Sequence, residues 1–314
     1  RAKTAQTTTA GIEPSPLNER LFPFQADLVR WALRRGRAAI FADTGLGKSF
    51  QLLEWSRQVS EQVGPVLVLS PLAVVEQTAR EGEKFGIKAL AAREPVDAAI
   101  TITNYEMLDH FDPSAYSGVV IDESSRLKAY DGATRNQIIR AFRDTPYRLA
   151  CTATPAPNDH TELGNHSEFL GIKTRGEMLS EFFVHDGGST QSWRLKGHAV
   201  DPFWRWVCSW GAIVRKPSDL GYSNDGFDFP PLRMHEHIVK ANHRDAWGEG
   251  MLFAPPALSL SDQRATRRMT MDNRADLAAT LTAGDEPAVV WCELNAEADE
   301  VERRIDGAVQ VKGS

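Results

Sequence analysis

The segment Ala42-Asp43-Thr44-Gly45-Leu46-Gly47-Lys48-Ser49 sets glycines, a lysine and a hydroxyl in the order that holds a phosphate chain. It follows an apolar run and opens a helical pattern, the context such a loop requires. Gly45 and Gly47 let the backbone turn its N–H groups toward phosphate oxygens, with Thr44 and Leu46 completing the cradle. The helix N-terminus after Lys48 adds partial positive charge. Lys48 is expected to reach the β- and γ-phosphates, and Ser49 to place its hydroxyl on Mg²⁺. The pattern GxxxxGK[ST] departs at its first place, which is Ala42. The plainer alternative is a glycine-rich strand-to-helix turn with an incidental lysine.

A carboxylate pair, Asp122-Glu123, closes another apolar run. A carboxylate at the end of a neighbouring parallel strand points into the same crevice as the phosphate loop. Asp122 could hold Mg²⁺ through water, and Glu123 could orient and deprotonate an attacking water. A solvated acidic strand end is the competing reading. Thr152-Ala153-Thr154-Pro155 ends the next run. Its hydroxyls would sit beside the acidic pair and could couple nucleotide state to the rest of the molecule, or simply form a Thr/Pro turn.

The elements that position these groups alternate. Apolar runs at 38–41, 66–69, 98–103, 118–122 and 148–152 are separated by helical patterns, including 49–59, 72–85 and 135–142. Alternation of this kind predicts an α/β fold with a parallel sheet and helices on both faces. After Pro155 the rhythm breaks into helix and loop with Trp193, Trp204, Trp206 and Trp210. Pro-rich FDFPPL (227–232) resembles a linker exit, a helical region follows at 262–283, and a strand–helix–strand unit is expected over 287–293, 296–305 and 308–312.

The 314 residues suggest about two domains, and 42% hydrophobic with 25% charged residues excludes a largely disordered or fibrous chain. There is no apolar run of about 18 residues, so no transmembrane helix is expected, and no leader pattern follows Arg1. A net charge of −6 argues against a generally basic nucleic-acid coat but leaves room for a local basic cleft. Three scattered cysteines without a CxxC suggest neither a disulfide framework nor a zinc knuckle, and a cytoplasmic setting is expected.

Taken in order, ADTGLGKS, IDESS and TATP resemble motifs I, II and III of superfamily 2 helicases and translocases. Phe24-Gln25 resembles the upstream glutamine that recognises adenine. LVLSPLAVVEQ (67–77) is similar to motif Ia and ITNYEML (102–108) to motif Ib. DESS, LACTATPAPND and RKPSDLGY (215–222) are most similar to the Swi/Snf-type branch, in the compact form found in phages and bacteria. The resemblance implies an ATP-driven motor of two RecA-like lobes with ATP and Mg²⁺ in the cleft, tracking on double-stranded DNA. It implies a bacterial or phage-infected cell as setting.

On that basis the expected organisation is a flexible segment at 1–17, a first RecA-like ATP-binding lobe at 18–158, a helical insertion and linker at 159–235, and the start of a second RecA-like lobe at 236–314. Motifs V and VI, with the arginine that reaches the γ-phosphate, have no match before Ser314. Such an arginine is worth about 10³–10⁵ in rate, so ATP binding is a firmer expectation for this chain than fast hydrolysis.

Motif match further implies that Ser70, Pro71, Thr103, Asn104 and Tyr105 line the nucleic-acid path, holding backbone without reading sequence. Lys128 is either a phosphate contact or a solvated helix end, and Tyr105 either a base contact or core. The tryptophans either stack on bases or pack a helical subdomain. His235 and His237 on one strand face make a poor metal site without a third ligand. Two other functions stay open: a strand-separating DNA or RNA helicase, and a nucleotide-gated DNA-binding module without fast hydrolysis.

Overall fold

The structure is a computed structural model that describes residues 11–128, 132–185, 193–239, 259–284 and 286–311. The chain divides into two compact units, Arg1–Phe229 and Pro230–Ser314.

In the first unit α1 (Pro23–Arg35) leads into β1 (Arg37–Ala42), and α2 (Lys48–Gln62) into β2 (Val66–Ser70). Then come α3 (Val75–Lys84), β3 (Leu90–Ala91), β4 (Ile100–Asn104), β5 (Gly118–Asp122), α4 (Ala133–Ala141) and β6 (Tyr147–Cys151). The remainder holds α5 (Leu163–Leu170), α6 (Arg175–Phe182), an antiparallel pair β7 (Phe183–His185) and β8 (Trp193–Leu195), α7 (Val200–Cys208) and β9 (Gly211–Val214). Seven strands form one sheet in the order β3-β4-β2-β5-β6-β1-β9, and every pairing is parallel. The expected doubly covered parallel sheet is therefore present.

Side chains alternate between the two faces along each strand. Ala38, Ile40 and Ala42 of β1 join Val66, Val68, Val120 and Leu149 in the core under α1, α2 and α3. Ala39 and Phe41 join Leu67, Leu69, Val119, Ile121 and Ala150 in the core against α4, α5 and α7. Both faces are apolar, which is why these strands read as uninterrupted hydrophobic runs. The register sets Ser70 beside Asn104 and both Asp122 and Ile40 beside Cys151, so the carboxyl ends of β1, β2, β4, β5 and β6 meet along one edge.

The region after Pro155, read from sequence as helix and loop, departs from that reading in two respects: β7 and β8 pair antiparallel, and a further strand joins the main sheet. β9, only four residues long, returns to the sheet as the edge strand beside β1. A run this short inside an aromatic, polar stretch carries too little period to stand out. Trp204 and Trp206 ring Phe203, and Trp206 meets Trp210 at 5.4 Å, so these aromatics pack a subdomain. Residues 11–17, expected to be flexible, are docked instead: Ile12 N–H donates to Leu33 O at 3.0 Å, and Ser15 Oγ to Gln58 Oε1 at 2.7 Å. Residues 1–10 lie outside the described residues.

The second unit contains α8 (Leu260–Met269), α9 (Met271–Leu281) and α10 (Asn295–Arg304). Arg304 donates to Asp272 and Asp276 of α9 at 2.8 and 2.7 Å. The strands expected at 287–293 and 308–312 are not formed among the described residues; Lys312 lies outside them. A strand exists by pairing its N–H and C=O groups with a neighbour. Neither run has one, and Val289, Trp291, Val309 and Val311 stand exposed. His235 and His237 are likewise in an unpaired stretch, and no group of three metal-capable side chains occurs among the described residues. No described helix is long and apolar enough to cross a membrane.

Candidate nucleotide site and nucleic-acid edge

β1 ends at Ala42, and the chain turns through Asp43–Gly47 into α2. Gly45 (φ +82°) and Gly47 (φ +72°) take left-handed backbone, a region that costs about 1–2 kcal/mol for a residue with a Cβ. A Cβ on Gly47 would also stand 2.4 Å from Nε2 of Gln25. That amide is occupied: Gln25 Nε2 donates to Leu46 O at 2.9 Å, and Oε1 accepts from Phe22 N–H at 3.0 Å. Gln51 Nε2 donates to the same Leu46 carbonyl at 2.8 Å. Two glutamines thus pin the loop from behind, and Gln25 is buried in doing so.

Lys48 Nζ donates to Ala42 O at 2.9 Å and Asp43 O at 3.2 Å, holding the ammonium across the mouth of the loop. Thr44 N–H donates to Asp43 Oδ1 at 2.7 Å, a carboxylate oxygen on a loop amide. The first N–H groups of α2 have no partner within the helix, and Ser49 lies half-buried at its second position.

Across the sheet, Asp122 is buried and accepts from Ser70 Oγ at 2.9 Å through Oδ2 and from Glu123 N–H at 3.1 Å through Oδ1. Burial raises its carboxyl above the usual range, the neighbouring Glu123 adds to the rise, and the Ser70 hydrogen bond opposes it. Glu123 is the one non-glycine among the described residues with positive φ, at +53°. Its carboxylate turns back over the strand ends, where Oε2 accepts from Thr152 Oγ1 at 3.1 Å. Thr152 Oγ1 in turn accepts from Thr154 N–H at 3.1 Å. A left-handed non-glycine residue persists only where its surroundings fix it, and here Thr152 is one such restraint.

Of the nucleic-acid candidates, Ser70, Thr103 and Asn104 are buried, Pro71 is half-buried and Lys128 exposed. Ser70 spends its hydroxyl on Asp122, and Asn104 Nδ2 donates to Glu106 Oε2 at 2.7 Å. Tyr105 is core: it is buried, and its hydroxyl donates to Asp122 O. Thr152 is buried and Thr154 exposed.

Several participants escape sequence reasoning. Gln51 is one; its place one turn into α2, facing back to the loop, is the signal. Arg126 is another, 5.4 Å over the Tyr105 ring and 3.1 Å from Glu106. Asn165 Nδ2 holds the carbonyls of Leu127 and Lys128 at 2.8 and 3.0 Å. A cleft of about 310 Å³ beside the loop is lined by Phe41, Asp43, Thr154, His160, Trp204 and Arg215 among others. Sequence position hides these because the contacts join residues far apart in the chain.

The donor chemistry fits a magnesium nucleotide. A buried carboxyl whose charge burial disfavours is stabilised by a cation, and a hydroxyl at a helix start beside a glycine loop is a magnesium and phosphate partner.

A parallel sheet with a glycine-rich β1–α2 turn and a carboxylate pair at the same edge has the architecture of a RecA-like lobe. The chain belongs to the SNF2-related domain family, whose model matches residues 24–183. It is 29% identical over 177 residues to a Danio rerio protein, "Chromodomain-helicase-DNA-binding protein 1-like", covering 48% of this chain and 17% of that one. It is 25% identical over 210 residues to the Mus musculus "DNA annealing helicase and endonuclease ZRANB3", covering 59% and 20%. The chain therefore spans about a fifth of the length of these relatives. In fold it is similar to the "Sulfolobus solfataricus SWI2/SNF2 ATPase core in complex with dsDNA", with a TM-score of 0.54 and 20% identity over 65% of this chain and 46% of that one.

Proposed function

We propose that the first unit binds Mg·ATP at the 42–49 loop and is the ATP-hydrolysing lobe of a motor that moves on duplex DNA. The observation that carries this is the meeting of the phosphate loop with the Ser70–Asp122 and Glu123–Thr152 pairs at one sheet edge. The SNF2-related membership supports the reading, as does the likeness in fold to a SWI2/SNF2 ATPase core in complex with dsDNA. The relatives named as acting on DNA support it as well.

The roles follow from position. The N–H groups of Thr44–Ser49 receive phosphate oxygens, and Lys48 exchanges its two carbonyl acceptors for the β- and γ-phosphates. Ser49 and Asp122 would hold Mg²⁺, which would supply positive charge beside the phosphate oxygens. Glu123 orients a water and accepts its proton. Thr152 holds Glu123 in place, and Thr154, joined to it through the backbone, carries the change toward the exposed edge. Ser70 links Asp122 to Pro71 and to the β4 end at Asn104, the path by which nucleotide state reaches nucleic acid. Contacts by Pro71, Thr103, Asn104 and Lys128 hold backbone and are sequence-independent.

The test is calorimetric titration of the chain with Mg·ATP beside Lys48→Ala, followed by ATPase rates with duplex DNA, single-stranded DNA and RNA. Binding lost in Lys48→Ala and stimulation by duplex DNA are expected. Unchanged affinity in the variant rejects the loop. Stimulation by RNA or single strands alone favours a strand-separating helicase.

A further inference from the structure

Beyond β9 the chain stays against the first unit. Tyr222 donates its hydroxyl to Asp27 of α1. Phe227 meets Phe22 at 5.0 Å and Phe24 at 5.2 Å, edge-on to both rings. These contacts tether the segment along the start of α1, the turn that carries Gln25. Two residues further on, Phe229 reaches the phosphate loop itself. The place a Cβ would take on Gly45 is 2.5 Å from Cζ of Phe229 and 3.0 Å from Cε2. Phe229 is nevertheless 73% exposed. Its ring rests on the loop by an edge and contributes little to the core.

A loop that receives a phosphate chain must offer its N–H groups to oxygens lying close against the backbone. A phenyl ring lies against Gly45 of that loop and offers no hydrogen-bond acceptor in exchange. We propose that Phe229 is a displaceable plug on the phosphate loop, competing with the nucleotide's phosphates for Gly45. Nucleotide loading then frees the end of this segment while Tyr222 and Phe227 keep it tethered nearby. The proposal rests on the nucleotide reading given above. Only about a quarter of the residue's surface is buried, which limits the docking constant to about three- to tenfold. A competitor docked in the free protein weakens apparent affinity by the undocked fraction.

The experiment uses the 314-residue chain, with Phe229→Ala, Phe229→Leu and Lys48→Ala. Mg·ATP affinity is measured by calorimetry, and the fluorine NMR signal of 4-fluorophenylalanine introduced at position 229 is followed with and without Mg·ATP. Phe229→Ala is expected to bind Mg·ATP about three- to tenfold tighter, with Phe229→Leu between it and the parent. That signal is expected to move toward its free-peptide position on adding Mg·ATP. Equal or weaker affinity in Phe229→Ala, with Lys48→Ala still abolishing binding, overturns the plug and leaves the nucleotide site standing. A signal that stays in place, or moves away from the free-peptide position, overturns it as well. Absence of Mg·ATP binding in both the parent and Phe229→Ala overturns the two readings together.

Discussion

Thr152 Oγ1 donates to Glu123 Oε2 at 3.1 Å, joining the end of β6 to the residue that follows β5. The hydroxyl also accepts the Thr154 amide, so one threonine fixes the carboxylate and the loop beyond it. Glu123→Gln keeps the shape and loses the proton-accepting charge. It is expected to leave the Mg·ATP dissociation constant within about twofold and to lower kcat by about 10²–10⁴ in a chain stimulated by DNA. Thr152→Val frees the carboxylate and should cost about tenfold in kcat with binding unchanged. Parental turnover in Glu123→Gln removes it as the base.

Gly47 meets two constraints at once, a φ of +72° and the approach of Gln25 Nε2 to where a Cβ would stand. Gly47→Ala should therefore weaken Mg·ATP binding by tenfold or more, as the strained turn and the displaced Gln25 both disturb the loop. Gln25→Ala removes the steric conflict and leaves the left-handed backbone, so the double variant, measured against Gln25→Ala alone, should recover only part of the loss. Full recovery would assign the whole effect to crowding. Isothermal titration of the three variants decides it.

His166 supplies a pH dependence. It is fully buried in α5, its Nε2 lies 2.9 Å from Pro155 O, and Phe41 packs edge-on at 5.2 Å. Pro155 O can only accept, so Nε2 carries the hydrogen and a second proton must go to Nδ1, which has no partner among the described residues. Burial pulls the imidazole down to about 4, against a weaker raising effect of the Pro155 hydrogen bond. The unfolded histidine, at about 6.5, takes up its proton first as pH falls. The stability held above pH 6.5 is therefore lost between about 6.5 and 4, by on the order of 2 kcal/mol at pH 5. Urea unfolding at pH 7 and pH 5 should show this extra loss in the parent and not in His166→Gln, whose amide can still donate to Pro155 O. An equal loss in both proteins places the acid sensitivity elsewhere.

The sheet was legible because strands buried on both faces read as plain apolar runs: VLVL and GVVID announced β2 and β5 without ambiguity. The turn between β1 and α2 was legible because glycine at left-handed positions leaves a local signature at Gly45 and Gly47. What stayed hidden depends on residues brought together from distant positions. Gln25 belongs to a helix start, yet its amide reaches Leu46. Nothing near Ser70 in sequence reveals that its hydroxyl is spent on Asp122. β9 was hidden for another reason: four residues at a sheet edge, with Ile213 exposed, give no burial period to detect. Val289 and Trp291 mislead in the opposite direction, since an apolar run becomes a strand only where a neighbour takes its hydrogen bonds.

Nucleic-acid binding should be weak, independent of sequence and shallow in salt. Ser70, Thr103 and Asn104 are buried, which leaves Lys128 as the exposed cation among the candidate positions. Asn165 holds the Lys128 backbone: its Nδ2 donates to Lys128 O at 3.0 Å, so the lysine side chain projects from a held position. Each phosphate neutralised on duplex DNA contributes about −0.9 to the slope of log affinity against log salt. With few charged contacts in this unit and a net charge of −6, the slope should stay small. Lys128→Ala should reduce it by about one and weaken binding uniformly across unrelated duplexes. Fluorescence anisotropy over a salt series, with two unrelated duplexes, one single strand and one RNA, measures this. An unchanged slope in Lys128→Ala makes this lysine a solvated helix end, and a strong preference for one sequence or for RNA rejects the duplex-tracking reading.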